Sequence, residues 1–235
     1  MSPFVAEIVG TATILLFGCG VVAGVLLDKS KSNGGGWIVI TFAWAIGVIL
    51  GIYAAGQFSG AHLNPAVTIA LAVTGKFAWN LVPTYIAGQF LGAMLGAGLV
   101  YLAYLPHWKA TSDAGLKLAV FSTGPAIRHT PSNLLCEFIA TFILMFAIMV
   151  IDANKYAEGV GPIVVGVLIL GLGLAFGGPT GYALNPARDL GPRIMHALLP
   201  IAGKGDSDWG YAWIPVVSPI LGAVCGAMAA SALLS

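Results

Sequence analysis

The sequence predicts an all-α membrane protein with six transmembrane helices plus two re-entrant half-helices, set as inverted three-helix repeats around a pore. Three observations predict it. The 235 residues are 58% hydrophobic and only 8% charged, where a soluble domain carries about 25% charged residues. Six apolar runs each reach the roughly 20 residues a membrane span needs. One short motif occurs twice, as Ser59-Gly60-Ala61-His62-Leu63-Asn64-Pro65-Ala66 and as Thr180-Gly181-Tyr182-Ala183-Leu184-Asn185-Pro186-Ala187-Arg188.

The spans fall at about 3–27, 37–57, 80–104, 132–152, 160–178 and 211–234. The first run has no basic region ahead of it and is long enough to cross, so it reads as a membrane helix rather than a cleavable signal. Between spans two and three, Phe58–Thr74 is apolar but too short to cross after its turn. Gly177–Leu199 is of the same kind. Both are expected to be re-entrant, a loop going in and a half-helix coming out. Gly34–Gly36, the segment 105–131 and Lys204–Asp208 are expected as aqueous loops. Trp37, Trp79, Trp108, Trp209 and Trp213 lie near segment ends and are expected in the interfacial aromatic belt. Trp44 lies deeper, about 10 Å into its span at 1.5 Å per residue.

The halves repeat. Glu7 in span one answers Glu137 in span four, and Asn64 answers Asn185. Repeat 1 covers about 1–104, the linker 105–131 and repeat 2 about 132–235, all in one channel domain. Three spans per half is odd, so the second half lies inverted, and such repeats place a site at the midplane between broken helices. Charge alone argues against cytoplasmic termini. That orientation puts only Lys76 and Lys155 inside and Lys29, Lys31, Lys109, Lys117, Arg128, Arg193 and Lys204 outside, opposing the positive-inside tendency.

The motif carries chemistry because Asn can cap a helix and Pro suits its first turn. Two such N-termini facing each other would bring two amides and two positive helix ends to one place. Plain capping by Asn64 and Asn185 is compatible with an amide N–H facing a lumen. Arg188 is the one basic residue within 160–191, and an intramembrane charge marks a functional position. Its fork of donors can hold adjacent hydroxyls; the duller alternative is an ion pair with neighbouring Asp189. Gly60, Ala61, His62 and Leu63, and Gly181, Tyr182, Ala183 and Leu184, form extended approaches whose carbonyls must meet water or solute. His62 is either a titrating gate or a fixed packing residue. Glu7 and Glu137 read either as a proton relay or as acceptors for re-entrant N–H groups, and their symmetric placement favours the second.

The paired Asn-Pro-Ala boxes (Asn64, Pro65, Ala66; Asn185, Pro186, Ala187), the run Ser59–Thr68 and the run Asn185-Pro186-Ala187-Arg188-Asp189 resemble the aquaporin, or major intrinsic protein, family. Asp189 with Gly191-Pro192 is similar to its glycerol facilitator branch. The resemblance implies a homotetramer in a cell membrane, with one pore per subunit and both termini cytoplasmic, and bacterial origin. It implies a passive path for glycerol, water and other small neutral solutes that excludes ions and protons. Helix N-termini repelling cations are a known feature of aquaporin-type pores. Counting from each Asn, the family's selectivity filter falls on Trp44, Gly173, Tyr182 and Arg188, with Glu7, Glu137 and Asp189 as structural support. Glycine at 173 leaves room for a carbon skeleton where water-selective members carry His. Tyr182 stands where glycerol facilitators usually have Phe. Dihydroxyacetone, urea and undissociated lactic acid fit the same chemistry.

Other classes fit less well. An ion-coupled secondary transporter shares inverted repeats and broken helices, but few intramembrane ionisable groups are present to couple. No nucleotide loop, nucleophile–base pair or close catalytic carboxylate pair marks an enzyme, and no cofactor is implied. His107, His129 and His196 are spaced for no metal and are expected at the surface. Cys19, Cys136 and Cys225, odd in number and in apolar segments, are expected as free thiols. No basic run suggests nucleic acid. Gly173→His is expected to suppress glycerol flux while sparing water, read by stopped-flow light scattering on proteoliposomes.

Overall fold

A computed structural model describes residues 1–235. Ten helices follow in order: α1 Pro3–Leu26, α2 Trp37–Ser59, α3 Pro65–Val73, α4 Val82–Ala103, α5 Leu105–Ala110, α6 Ala114–Phe121, α7 Thr130–Asp152, α8 Gly161–Thr180, α9 Pro186–Leu198 and α10 Ile214–Leu234. Six of these are long and apolar enough to cross a bilayer, α4 being extended by a 3₁₀ turn from Trp79. The chain is a multi-pass membrane protein. The half-helices α3 and α9 have 9 and 13 residues, so they extend only about 14 and 20 Å at 1.5 Å per residue.

Local sequence explains the ends. Ser2 Oγ accepts from Val5 N, with Pro3 starting α1. The α2 and α8 helices end on Gly60 and Gly181 in left-handed conformation, φ 76° and 84°, where a side chain would be strained. That places both breaks at the same point of the motif, three residues past the predicted span ends at 57 and 178.

The two halves are packed alike through small residues. A Cβ on Gly88 or Gly96 of α4 would sit 2.8 and 2.6 Å from the Phe4 and Ala12 carbonyls of α1, and one on Gly92 would meet the Ile8 carbonyl. In the second half, Gly222 and Gly226 of α10 press on the Phe138 and Phe142 carbonyls of α7 in the same way. Gly92 and Gly96, with the Ile8 and Ala12 carbonyls they touch, have their counterparts 130 positions later. Lipid tails offer no hydrophobic drive between helices, so close backbone approach through small residues supplies the association. Across the middle, Gly166 of α8 packs on Ile49 and on the Ala45 carbonyl of α2.

The structure corrects the reading of 105–131 as an aqueous loop. It holds α5 and α6, and Trp108 and Phe121 are buried. Trp108 is therefore not in an interfacial belt; its Nε1 donates to the Tyr101 carbonyl at 2.9 Å and its ring stacks near Tyr101 and Phe121. Lys117, also buried, donates to the Ala202 and Gly203 carbonyls. Arg193 and His196, expected at the surface, are fully buried in α9. Lys204 Nζ reaches the His196, Ala197 and Leu199 carbonyls and closes the C-terminal end of α9, a favourable place for a cation. Polar residues that looked like loop are thus a cap folded over α9. The three cysteines are free thiols.

Gly222→Val is expected to cost about 1–3 kcal/mol by overpacking the α7–α10 contact, seen as a lower thermal midpoint in detergent.

Candidate functional site

The two motif loops meet head to head. Asn64 Oδ1 accepts from Ala66 N and Asn185 Oδ1 from Ala187 N and Arg188 N, so each carbonyl oxygen caps its own half-helix. Each amide then crosses to the other half. Asn64 Nδ2 donates to the Leu184 carbonyl at 2.9 Å, and Asn185 Nδ2 to the Leu63 carbonyl at 2.8 Å. A side-chain amide has two N–H groups, so one remains on each Asn. Both residues line one cavity of about 430 Å³.

Each approach loop is held from behind by a glutamate. Glu7 accepts from Ser59 Oγ at 2.6 Å, His62 N at 3.1 Å, Leu63 N at 2.7 Å and Gln89 Nε2 at 2.7 Å. Glu137 accepts from Thr180 Oγ1 at 2.6 Å, Ala183 N at 2.9 Å and Leu184 N at 3.1 Å. Both are fully buried without a cationic partner. The loop N–H groups are spent on these carboxylates. The carbonyls of Gly60, Ala61, His62, Tyr182 and Ala183 accept from no protein group, and all five residues line the cavity. Gly181 lies outside the lining, as the helix cap.

The alternation has a conformational cost. Ala61, Leu63, Tyr182 and Leu184 have φ of 52°, 52°, 40° and 58°, each a left-handed residue costing roughly 1–2 kcal/mol. Such strain persists only where the surroundings over-determine it, and here the glutamates and the crossed Asn amides do.

Arg188 sits on the cavity wall with its guanidinium 4.1 Å from the Trp44 ring centre. The alternative of a pair with Asp189 is pre-empted. Asp189 Oδ1 takes Arg193 Nε and Nη2 at 3.0 and 2.9 Å, and Oδ2 takes Thr123 N and Oγ1 at 2.7 and 2.5 Å. Arg193 spends its remaining donors on the Thr123, Ser207 and Asp208 carbonyls. The Arg188 guanidinium has no ion pair or hydrogen bond within the protein. Stacking on Trp44 covers one face of the fork and leaves the N–H edges open.

Trp44, Tyr182 and Arg188 all line the cavity; Gly173 does not. A Cβ at Gly173 would lie 2.8 Å from Tyr182 Cζ and 2.8 Å from Thr41 Cγ2. The room left by glycine is filled by the Tyr182 ring, which also covers Gly177 and meets the Trp37 ring edge-on at 5.9 Å. Trp37 Nε1 in turn donates to the Gly173 carbonyl at 2.9 Å. The Tyr182 hydroxyl is buried and has no partner. His62 packs between Phe77 and Tyr85 at 4.6 and 4.8 Å, with Nδ1 3.1 Å from Thr68 Oγ1. That hydroxyl donates to the Asn64 carbonyl and accepts from Gln89, so Nδ1 is assigned as the donor. The ring is fixed on three sides, which favours its packing role.

Gln89, Ser59, Thr180, Thr123 and Arg193 complete the site and were not singled out from sequence. Gln89 carried a signal, being an amide in mid-span; Arg193 carried none, because it resembles a loop charge.

Six spanning helices, two half-helices butted at their capped ends and a wet-walled cavity through the junction define a pore-type membrane protein. The chain belongs to the major intrinsic protein family, whose profile matches residues 1–230. It is 58% identical over 226 residues to a glycerol uptake facilitator protein of Bacillus subtilis, covering 96% of this chain and 82% of that one. It is 56% identical to a probable glycerol uptake facilitator protein of Thermotoga maritima, with 97% of each covered. The X-ray structure of the aquaglyceroporin from Plasmodium falciparum superposes with a TM-score of 0.84 at 32% identity, covering 96% of this chain and 93% of that one.

Tyr182→Phe removes an unpartnered buried hydroxyl, so it is expected to leave the thermal midpoint unchanged or raised, and to change glycerol permeability less than twofold.

Proposed function

We propose that the chain is a passive channel conducting glycerol and similar small uncharged solutes, with some water, across a bacterial cell membrane while excluding ions and protons. What carries this reading is the guanidinium of Arg188, unpaired within the protein and laid on Trp44 at the wall of a cavity that runs past both Asn amides. In this reading Trp44, Tyr182 and Arg188 form the selectivity filter, with Gly173 behind the Tyr182 ring. The aromatic faces take the C–H side of a polyol, and Arg188, the spare Asn N–H groups and the loop carbonyls take its hydroxyls. An ion has no set of groups there to replace its hydration shell.

The names of the relatives support glycerol as the solute; dihydroxyacetone, urea and undissociated lactic acid fit the same surface. The saturated hydrogen bonding of Glu7 and Glu137 supports a structural role for them and speaks against a coupled transporter, which needs a carboxylate free to change its proton. The family resemblance supports a homotetramer in lipid with cytoplasmic termini. The paired contacts 130 positions apart support two inverted repeats, about 1–104 and 132–235.

Proteoliposomes test the function. Glycerol permeability is expected to exceed that of empty vesicles at least tenfold, and an imposed proton gradient is expected to give no accumulation. Uphill uptake driven by that gradient would replace the channel with a coupled carrier.

A further inference from the structure

We infer that the pore holds a second selectivity station, a rigid aliphatic aperture formed by Ile52, Ala61, Val67 and Val165 on the far side of the Asn pair from Arg188. The inference rests on the channel reading above and extends it to a site of opposite chemistry.

The register of the two halves locates it. Through α2–α3 and α8–α9, equivalent residues are 121 positions apart. Ser59 and Thr180 both donate to the glutamate of their half at 2.6 Å. Gly60 and Gly181 are both left-handed caps. Asn64 and Asn185 exchange reciprocal bonds with Leu184 and Leu63. Ala45 and Gly166, a pair at this spacing, touch each other as residues beside a pseudo-two-fold axis must.

Applied to the filter, this register gives four counterparts. Trp44 maps to Val165, Gly173 to Ile52, Tyr182 to Ala61 and Arg188 to Val67. All four counterparts line the same cavity as Trp44, Tyr182 and Arg188. Inversion places them at matching depth beyond the Asn plane.

The chemistry there is reversed. The arginine becomes valine and both aromatics become aliphatic, so none of these four side chains offers a hydrogen bond. Beside them the unpaired loop carbonyls of Gly60, Ala61 and His62 remain for hydroxyl donors. Bulk also changes sides. At the filter a loop tyrosine fills the space over a helix glycine; at the counterpart a helix isoleucine stands where the loop has alanine. Ile52, Val67 and Val165 are all β-branched, with few χ1 states available on a helix. Such a ring cannot fold aside for a wider solute. Arg188 therefore selects for hydroxyls, and the aliphatic ring sets the upper width.

Stopped-flow measurement of the xylitol-to-glycerol permeability ratio tests this, in proteoliposomes carrying the full chain. Ile52→Ala and Val165→Ala are each expected to raise that ratio at least fivefold. Val67→Ile, which adds a methylene, is expected to lower it. Ratios within twofold of the parent in all three variants that still conduct glycerol overturn the aperture. If either alanine variant yields no folded protein, Val67→Ile and the remaining one decide by the same limits. A parent chain that conducts no glycerol would instead overturn the channel reading itself.

Discussion

The structure depends on one constraint, the need to satisfy broken backbone inside a membrane. Hydrocarbon offers no partner for a free N–H or C=O, and each one left bare costs several kcal/mol. Two helix breaks at mid-depth expose many such groups at once. Glu7 and Glu137 solve half the problem by accepting the loop N–H groups from behind. Of the carbonyls, Leu63 and Leu184 take the Asn amides, while those of Gly60, Ala61, His62, Tyr182 and Ala183 have no protein donor and must face water or solute. A buried carboxylate on one side therefore makes a wet lumen necessary on the other.

The same constraint explains why the Asn-Pro-Ala motif is shared between halves. Each Asn caps its own helix with its oxygen and braces the opposite loop with its nitrogen. Neither half can hold its loop alone, and the left-handed Leu63 and Leu184 sit at the crossing points. Alanine at 61 and tyrosine at 182 share the strained conformation, so the backbone tolerates very different side chains there. The same backbone therefore carries an aromatic ring at one position and a methyl group at the other.

A buried ion pair supports the cavity wall indirectly. Breaking such a pair by removing one partner costs about 3–5 kcal/mol, so Asp189 and Arg193 are retained as a unit. Arg193 on Oδ1 and Thr123 on Oδ2 occupy both Asp189 oxygens and leave Arg188 to the cavity. Arg193 also ties α9 to the linker at Thr123 and to the 204–208 loop at Ser207 and Asp208. The cap formed by α5, α6 and these loops thus sets the position of the half-helix that carries Arg188.

Much was legible in sequence because the signals are local. Span length, a proline after an asparagine, a helix-ending glycine and an intramembrane charge each follow from a few neighbouring residues and the solvent they meet. Those rules gave six spans, two half-helices and the candidate wall residues. They failed where the partner is distant in sequence. Trp108 looked interfacial and Arg193 and His196 looked solvent-facing, since local composition cannot reveal that the 105–131 linker and the 204–208 loop fold back onto α9. Gly173 looked like open space, but only packing shows that Tyr182 fills it. Which arginine pairs Asp189, which N–H each carboxylate takes and which residues share the lumen were decided by tertiary structure, because hydrogen bonds and volume are settled between groups whose meeting the fold decides, from 4 residues apart for Asp189 and Arg193 to 122 for Asn185 and Leu63.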